Sequence, residues 1–129
     1  GIWQMCFYVS GDPSIPGELK PSNSFKILSD DGKFTNMTVI PNKGAIIIGS
    51  GTYKQTAPNA FTEHVEKNLH LPQLVGVDNV LEFEMKGGEV MMLKFFVKKD
   101  AEGNEINSWY YETWKKVKMP AVYPKDLVR

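Results

Sequence analysis

Apolar side chains recur at every second position on both sides of a Gly-Gly pair, and this rhythm limits the folds open to the chain. The alternation covers residues 80–86 and 89–98, with Gly87-Gly88 between them. A period of two is typical of a β-strand with one dry and one wet face, because successive side chains point to opposite sides. The glycine pair predicts a tight hairpin turn. The side chains expected on the dry face are Leu81, Phe83, Met85, Met91, Leu93, Phe95 and Val97.

Short turn-forming segments rich in Gly, Pro, Asn and Asp divide the rest of the chain into further strands. Short links favour antiparallel pairing of consecutive strands. Eight such strands close most naturally into a barrel, because closure leaves no open edges. The sequence therefore predicts an all-β fold, an eight-stranded antiparallel up-and-down β-barrel. Its strands are expected at residues 2–9, 23–29, 33–40, 45–56, 60–67, 79–86, 89–98 and 105–117.

Three segments lie outside this strand pattern. Residues 10–22 hold three prolines and predict a loop across one end of the barrel, where it would act as a gate. Residues 68–78 carry several leucines and are expected to cap the other end or to form a short helix. Residues 119–129 are interpreted as a C-terminal tail along the barrel wall. Residues 1–129 form a single domain, since a chain of this length is too short for two independent cores.

Residues 60–71 leave two interpretations open. Phe61, Val65 and Leu69 fit one face of a helix. The β-branched Thr62 and Val65 favour a strand instead, and the preceding Pro-Asn turn suits a hairpin. We therefore expect a strand in this segment, with a helix as the alternative.

Charge composition excludes several classes of partner. The chain has 15 basic and 15 acidic residues, so no net field draws it to nucleic acid or to an anionic membrane. Its only arginine is Arg129, which leaves the strands without the side chain that grips carboxylates and phosphates in a bidentate way. No apolar run is long enough for a transmembrane segment. The single cysteine, Cys6, can form no internal disulfide.

Four short segments carry a resemblance to a known family. Gly1-Ile2-Trp3 resembles the Gly-x-Trp signature of lipocalins, whose Trp plugs the closed end of an eight-stranded barrel. Together with residues 51–53, 61–66 and 111–115, it resembles a lipocalin-like (calycin) family of uncharacterised bacterial proteins, a domain of unknown function from gut-dwelling Gram-negative bacteria. The resemblance implies a barrel that is usually exported and that binds a small hydrophobic molecule in its lumen.

The chain departs from the better-known relatives of that family in its cations. Lipocalins commonly place an Arg over the signature Trp, and we expect Lys115 or Lys116 to fill this role through a weaker cation–π contact. Fatty-acid-binding relatives hold the ligand carboxylate with Arg and Tyr, whereas no predicted strand here contains an Arg. A fatty-acid clamp of that type is therefore not expected.

An eight-stranded barrel can either fill its interior with side chains or hold one small ligand. If Trp3 points inward, alternation along the predicted strands gives the other inward side chains. A filled interior is the alternative to a ligand cavity. The residues expected to line such a cavity are Trp3, Met5, Phe7, Phe25, Tyr53, Phe61, Glu63, Phe83, Met85, Leu93, Phe95 and Glu112.

Glu63 is the candidate polar anchor of this cavity. It lies between Phe61 and Val65 in the alternation, and a buried carboxylate needs a Tyr hydroxyl, a Lys, water or a ligand as its partner. Glu112 lies likewise between two aromatic residues, although the opposite face of its strand is equally apolar. We expect Glu63, with Glu112 and Tyr53, to orient a polar group; a Glu63 at the rim or in solvent is the alternative.

The residues that suggest metal or catalytic chemistry are isolated from one another. His64 and His70 are separated by about 20 Å in a continuous strand, too far for one metal ion, and only a loop or helix would bring them together. No base is placed beside Cys6, which we interpret as a packed small hydrophobe rather than a nucleophile. We expect no metal, no cofactor and no enzymatic activity; an isomerase or hydrolase would need His64 and a carboxylate in one pocket.

The predicted function is non-enzymatic binding of a small hydrophobic or amphipathic ligand in the barrel lumen. The alternative is a filled barrel that acts as a protein–protein interaction or self-association module, in which outer aromatic residues such as Tyr8, Phe96 and Trp109 meet a partner or form a homodimer. Because the sequence opens at Gly1 without an initiator Met, we also expect loss of a signal peptide and export to the periplasm or cell envelope.

Overall fold

Eight antiparallel strands, joined in chain order, close into a β-barrel. This architecture is that of a computed structural model, which describes residues 1–9 and 17–118. The order of the strands around the barrel is their order in the sequence, and the first pairs with the last. The strands are β1 (Ile2–Val9), β2 (Glu18–Leu28), β3 (Lys33–Ile40), β4 (Gly44–Ala57), β5 (Ala60–Asn68), β6 (Asp78–Lys86), β7 (Val90–Lys99) and β8 (Glu105–Lys116).

The predicted all-β, up-and-down barrel is confirmed, and the strand bounds differ from the predicted ones by at most one residue except at the start of β2. β2 begins at Glu18 rather than at residue 23, so residues 18–22 belong to a strand and not to the predicted loop. β5 is a strand, so the helical interpretation of residues 60–71 is wrong. A short 3₁₀ helix at Pro72–Leu74 lies in the connection between β5 and β6. Most of the predicted gate loop and all of the predicted tail lie outside the described residues. Within the described residues, no helix is long and apolar enough to cross a membrane.

The glycine pair forms the predicted turn between β6 and β7, in a link one residue longer than predicted. Both glycines have positive φ angles, 59° and 71°, as the two central positions of a type I′ turn require, and the backbone nitrogen of Glu89 donates a hydrogen bond of 3.2 Å to the carbonyl of Lys86. Lys86 pairs with Val90, so three residues, 87–89, connect the strands, and β7 begins at Val90 rather than at residue 89. The hairpin of β6 and β7 is therefore specified locally by its turn and its alternation.

Gly51 allows two strands to approach closely where β4 bends. The register between β4 and β5 shifts between Ser50 and Gly51. A Cβ atom at Gly51 would overlap the carbonyl oxygen of His64 and would lie 2.9 Å from the ring of Phe34. No residue with a side chain fits there without movement of the backbone, so this glycine maintains the bend in the wall.

The two ends of the barrel differ in how completely the strands pair. Among the described residues, β1 pairs with β8 over residues 3–6 of β1, and β6 pairs with β7 over residues 82–86 of β6. Trp3 lies at the well-paired end, which we name the Trp3 end; it carries the turns at residues 29–32, 58–59 and 87–89. The opposite, helix end carries the connections at residues 41–43, 69–77 and 100–104.

Aromatic side chains fill the Trp3 end of the interior. The rings of Tyr53 and Phe61 meet edge to face with centroids 6.4 Å apart, and Phe61 lies 5.9 Å from Phe83. The Tyr53 hydroxyl donates a hydrogen bond of 2.7 Å to the carbonyl of Ser29 in the adjacent turn. Trp3 packs against the same core. This half of the lumen is therefore filled and anchored to its turns.

Candidate functional site: a polar cavity in the lumen

Lys26 occupies the inner face of β2. Its side chain is 1% exposed, whereas the two neighbouring apolar residues, Phe25 and Ile27, lie outside the core cluster. Alternate residues of a strand point to opposite faces, so Lys26 in the lumen turns Phe25 outward. The predicted inward position of Phe25 is therefore wrong: a long-range ion pair, and not the hydrophobicity of the strand, decides which face of β2 is buried.

Glu63 on β5 is the partner of this lysine. Lys26 Nζ lies 3.0 Å from Glu63 Oε2, and the side chains are 1% and 6% exposed. Glu63 lies on the inner face, where alternation places it, and one of its expected partners, a Lys, is present. Because removal of either member would leave an uncompensated charge in the interior, the two residues depend on each other.

Two aromatic rings complete the surroundings of the lysine. The ammonium lies 5.4 Å from the ring centroid of Phe34 and 5.4 Å from that of Trp114. Both rings offer their electron-rich faces to a desolvated cation. Among the described residues, the cations that lie over a tryptophan ring are Lys26, over Trp114, and Lys94, over Trp109. Lys115 and Lys116 are exposed, so the expected contact of one of them with Trp3 is wrong.

Glu112 on β8 is the second carboxyl group of the lumen. Its Oε1 accepts a hydrogen bond of 3.2 Å from the indole nitrogen of Trp114. Burial raises the pKa of Glu112 because it disfavours the charged form, and repulsion by Glu63 adds to this effect. Attraction by Lys26 and the indole hydrogen bond act in the opposite direction without cancelling it. Glu112 thus differs from Glu63 in having no cation of its own.

A cavity of about 180 Å³ lies between this charged group and the helix end. Glu63 and Glu112 both line it, whereas Lys26 does not. The apolar part of its wall consists of Met5, Phe34, Ile48, Val65, Leu71, Leu74 and Phe95. Its other polar residues include Ser24, Asn36, Asn68, His70 and Asn79. The lumen is therefore filled at the Trp3 end and hollow toward the helix end.

Asn36 presents an unsatisfied oxygen at this cavity. Its side-chain oxygen is buried and has no hydrogen-bond partner. A buried polar group without a partner is costly, so this oxygen is suited to a hydrogen bond with a molecule in the cavity. Asn79, 7% exposed, also lines the cavity, and its amide group can both donate and accept hydrogen bonds.

The connection between β5 and β6 covers the cavity. Asn68 Oδ1 accepts hydrogen bonds from the backbone nitrogens of His70 (3.1 Å) and Leu71 (2.8 Å) and fixes the turn out of β5. Leu74 in the 3₁₀ helix is buried in the core cluster. Gln73 donates a hydrogen bond of 3.1 Å to the carbonyl of Lys99 and so ties the connection to β7. The expectation that residues 68–78 cap one end of the barrel is met.

The predicted site residues fall into three groups. Four line the cavity: Met5, Glu63, Phe95 and Glu112. Five pack in or against the core without lining the cavity: Trp3, Tyr53, Phe61, Phe83 and Leu93. Three lie outside both groups: Phe7, Phe25 and Met85.

Phe7 and Met85 lie at places where the barrel wall ends. Phe7 is 57% exposed, because β1 has left its ladder with β8 beyond Cys6 and the β1–β2 register has shifted just before it. Met85 is 39% exposed because it lies next to the glycine turn, although its partner Met91 is buried. Their predicted positions in the interior are wrong, because the alternation of side chains along a strand does not reveal where that strand leaves the closed wall.

Sequence reasoning missed the residues that give the site its character, namely Lys26, Asn36 and Asn79. One signal was available for the lysine, because an inward Glu63 requires a partner and β2 contains a lysine at an alternating position. No comparable signal identifies the two asparagines, which are ordinary polar residues in strands until the barrel closes.

The candidate residues for other chemistry do not meet in the lumen. His64 Nδ1 lies 2.7 Å from Asp78 Oδ1 in an exposed pair on the outer surface, away from the luminal carboxyl groups. Cys6 is buried and its Sγ lies 3.5 Å from the carbonyl of Gln4. Within residues 1–9 and 17–118, no three His, Cys, Asp or Glu side chains are grouped so that they could hold a metal ion.

Comparison with known proteins places the chain in a family without assigning it an activity. Residues 1–125 match the family described as a domain of unknown function, DUF4488. No curated protein matches the sequence. The match covers the barrel from β1 through β8, including every residue of the luminal cavity, and the chain belongs to the DUF4488 family.

Proposed function

We propose that the barrel binds one small amphipathic molecule in its luminal cavity and releases it chemically unchanged. The observation that carries this proposal is the combination of an apolar wall with a buried, unpartnered oxygen at Asn36. A ligand that satisfies this oxygen removes a cost of about 1–3 kcal/mol, while its apolar part gains about 25 cal/mol per Å² of buried surface.

The size of the cavity limits the ligand. A volume of about 180 Å³ is below the roughly 300–1,000 Å³ of pockets for drug-sized molecules. It equals the liquid volume of about six water molecules. The ligand is therefore a compact molecule with a short apolar part, and long-chain lipids do not fit the cavity in this form.

Binding without chemistry is the function that the polar groups support best. Glu63 is held in its ion pair, so it is not a free base. The only histidine at the cavity is His70, in the covering connection, while His64 is occupied by Asp78 outside the barrel. A closed eight-stranded barrel with Trp3 packed at one end also supports the relationship to lipocalins that we propose for this family.

A pair of valines provides the test. Val65→Phe fills the cavity, whereas Val80→Phe adds the same ring on the outer face, where Val80 is 52% exposed. Small amines, alcohols and carboxylic acids of about four to six carbons are screened by ligand-observed NMR. We expect V80F to bind the same probes as the unchanged protein and V65F to lose them, with both variants folded by circular dichroism. Equal binding to both variants would place the ligand outside the lumen and contradict the proposal.

A self-association module is the second candidate, favoured by an outer aromatic pair. The rings of Phe96 and Trp109 lie 5.4 Å apart and are 41% and 45% exposed. They border a surface groove of about 610 Å³ between β6 and β7, where the two strands share no ladder. Analytical ultracentrifugation over a range of concentrations tests this candidate, and a monomer at all concentrations would exclude it.

A further inference from the structure

The charged groups that face the cavity are carboxyl groups. Glu63 and Glu112 line it, and no Lys or Arg of the described residues does so. The positive charge of Lys26 lies behind this wall and is matched by Glu63 at 3.0 Å. Lys26, Glu63 and Glu112 together contribute one ammonium group and two carboxyl groups. Because Lys26 is paired with Glu63, Glu112 is left without a counter-charge.

The hydrogen-bonding atoms around the cavity are also unevenly divided. The oxygen of Asn36 is buried without a donor. Glu112 receives the indole hydrogen bond on Oε1, and Oε2 receives none from the described residues. The cavity thus presents two acceptors in need of donors, Asn36 Oδ1 and Glu112 Oε2.

We propose that the luminal cavity selects a small cationic amine, whose ammonium group is received by Glu112 and Asn36 and whose short apolar part lies against Val65, Leu74 and Phe95. The proposal deepens the binding function above and rests on it. An ammonium carries up to three donors and one positive charge, which match the unpartnered oxygen of Asn36 and the carboxyl group of Glu112. A carboxylate ligand would add acceptors and a second uncompensated negative charge, so it is disfavoured on both counts.

Binding of a cation is expected to release a proton. The groups that act on Glu112 are Lys26 from β2, Glu63 from β5 and Trp114 from its own strand. His70 from the covering connection lines the same cavity. Burial raises the pKa of Glu112 because it destabilises the charged form in the empty cavity. An ammonium beside it stabilises the charged form and lowers that pKa. Affinity for the amine therefore increases as pH rises through the pKa of Glu112.

Three probes of nearly equal size separate charge from shape: n-butylammonium, n-butanol and butyrate. Their affinities are measured by NMR titration at neutral pH with the full chain. We expect n-butylammonium to bind at least about tenfold more tightly than n-butanol, and butyrate to bind more weakly than either. Calorimetry of n-butylammonium in buffers of different ionisation enthalpy is expected to detect proton release at acidic pH.

Glu112→Gln is the decisive variant, with Glu84→Gln at an exposed position as its matched control. E112Q is expected to bind n-butylammonium and n-butanol equally and to release no proton, whereas E84Q keeps the preference. Binding of n-butanol or butyrate as tight as that of n-butylammonium to the unchanged protein overturns the amine proposal and leaves the luminal binding function standing. Failure of all three probes, together with no hits from the wider screen, overturns both.

Discussion

Lys26 on β2 and Glu63 on β5 form an ion pair across the barrel lumen, with 3.0 Å between Nζ and Oε2. The two strands are not neighbours, since β3 and β4 lie between them in the wall. The pair therefore connects opposite sides of the barrel through its interior and fixes which face of β2 points inward.

Removal of the lysine alone is expected to destabilise the barrel strongly. Lys26→Met leaves Glu63 buried without a counter-charge, and we expect a loss of about 3–5 kcal/mol in the free energy of unfolding. Combining it with Glu63→Met removes both charges and is expected to restore most of the loss. Urea denaturation measures the free energy of unfolding of the unchanged protein, of K26M and of the double variant. Lys20→Met, which breaks an exposed pair with Glu18, is the control and is expected to cost less than about 1 kcal/mol. A double variant no more stable than K26M would contradict this account.

Glu112 is expected to make stability depend on pH in a defined direction. Its pKa in the folded protein is raised from the ordinary value of 4.5, so between these two values the folded state binds more protons than the unfolded state. This contribution to stability is complete below pH 4.5 and is lost as pH rises through the raised pKa. In urea denaturation from pH 4 to 8, we therefore expect the free energy of unfolding of E112Q to rise relative to that of the unchanged protein as pH increases. A constant difference between the two would show that Glu112 titrates normally.

Gly51 is expected to tolerate no side chain. Gly51→Ala places a methyl group against the carbonyl of His64 and the ring of Phe34, and we expect a loss of about 1–3 kcal/mol or more from overpacking. Gly49→Ala is the control, because its nearest contacts would be 3.4 Å away. Thermal unfolding followed by circular dichroism compares the two. A G51A protein as stable as G49A would mean that β4 and β5 separate at little cost.

The hairpin of β6 and β7 offers a stabilising change. Gly87→Asn keeps a residue that accepts the positive φ of 59° and reduces the freedom of the unfolded chain, so we expect a gain of about 0.4–1 kcal/mol. Gly87→Val, whose branched side chain disfavours that φ, is expected to lower stability. Chemical denaturation distinguishes the two. If both variants lose stability equally, the turn is not of the type assigned.

The strands could be predicted because their signals are local. The turn glycines and the period-two alternation specify β6 and β7 without reference to the rest of the chain. For β5 the alternation leaves a helix open, and the β-branched Thr62 and Val65 with the preceding Pro-Asn turn favour the strand. The inner face of β2 could not be predicted in this way, because Phe25 is more hydrophobic than Lys26 and the choice depends on Glu63, more than thirty residues later. Phe7 shows the same limit, since its exposure depends on where β1 separates from β8.

The cavity was harder to predict than the barrel because it depends on space that side chains leave unfilled. Glu63, Glu112, Met5 and Phe95 were expected to line it and do so. The asparagines were not expected, since an Asn in a strand becomes unusual only when the closed wall removes its water. Leu71 and Leu74 reach the cavity from a connection whose path no strand pattern describes.

The ion pair lies where the packed aromatic half of the lumen meets the hollow half. Tyr53, Phe61 and Phe83 pack on one side of it, and Val65, Leu74 and Phe95 of the cavity wall extend the same core on the other side. Asn36 and Asn79 line the cavity without belonging to that core. If the cavity binds a ligand as proposed, substitutions at these two asparagines can change what it accepts while the packed core stays intact. Members of the family with the same core could then differ in ligand, and the barrel would be a scaffold in which new specificities are built without redesign of the fold.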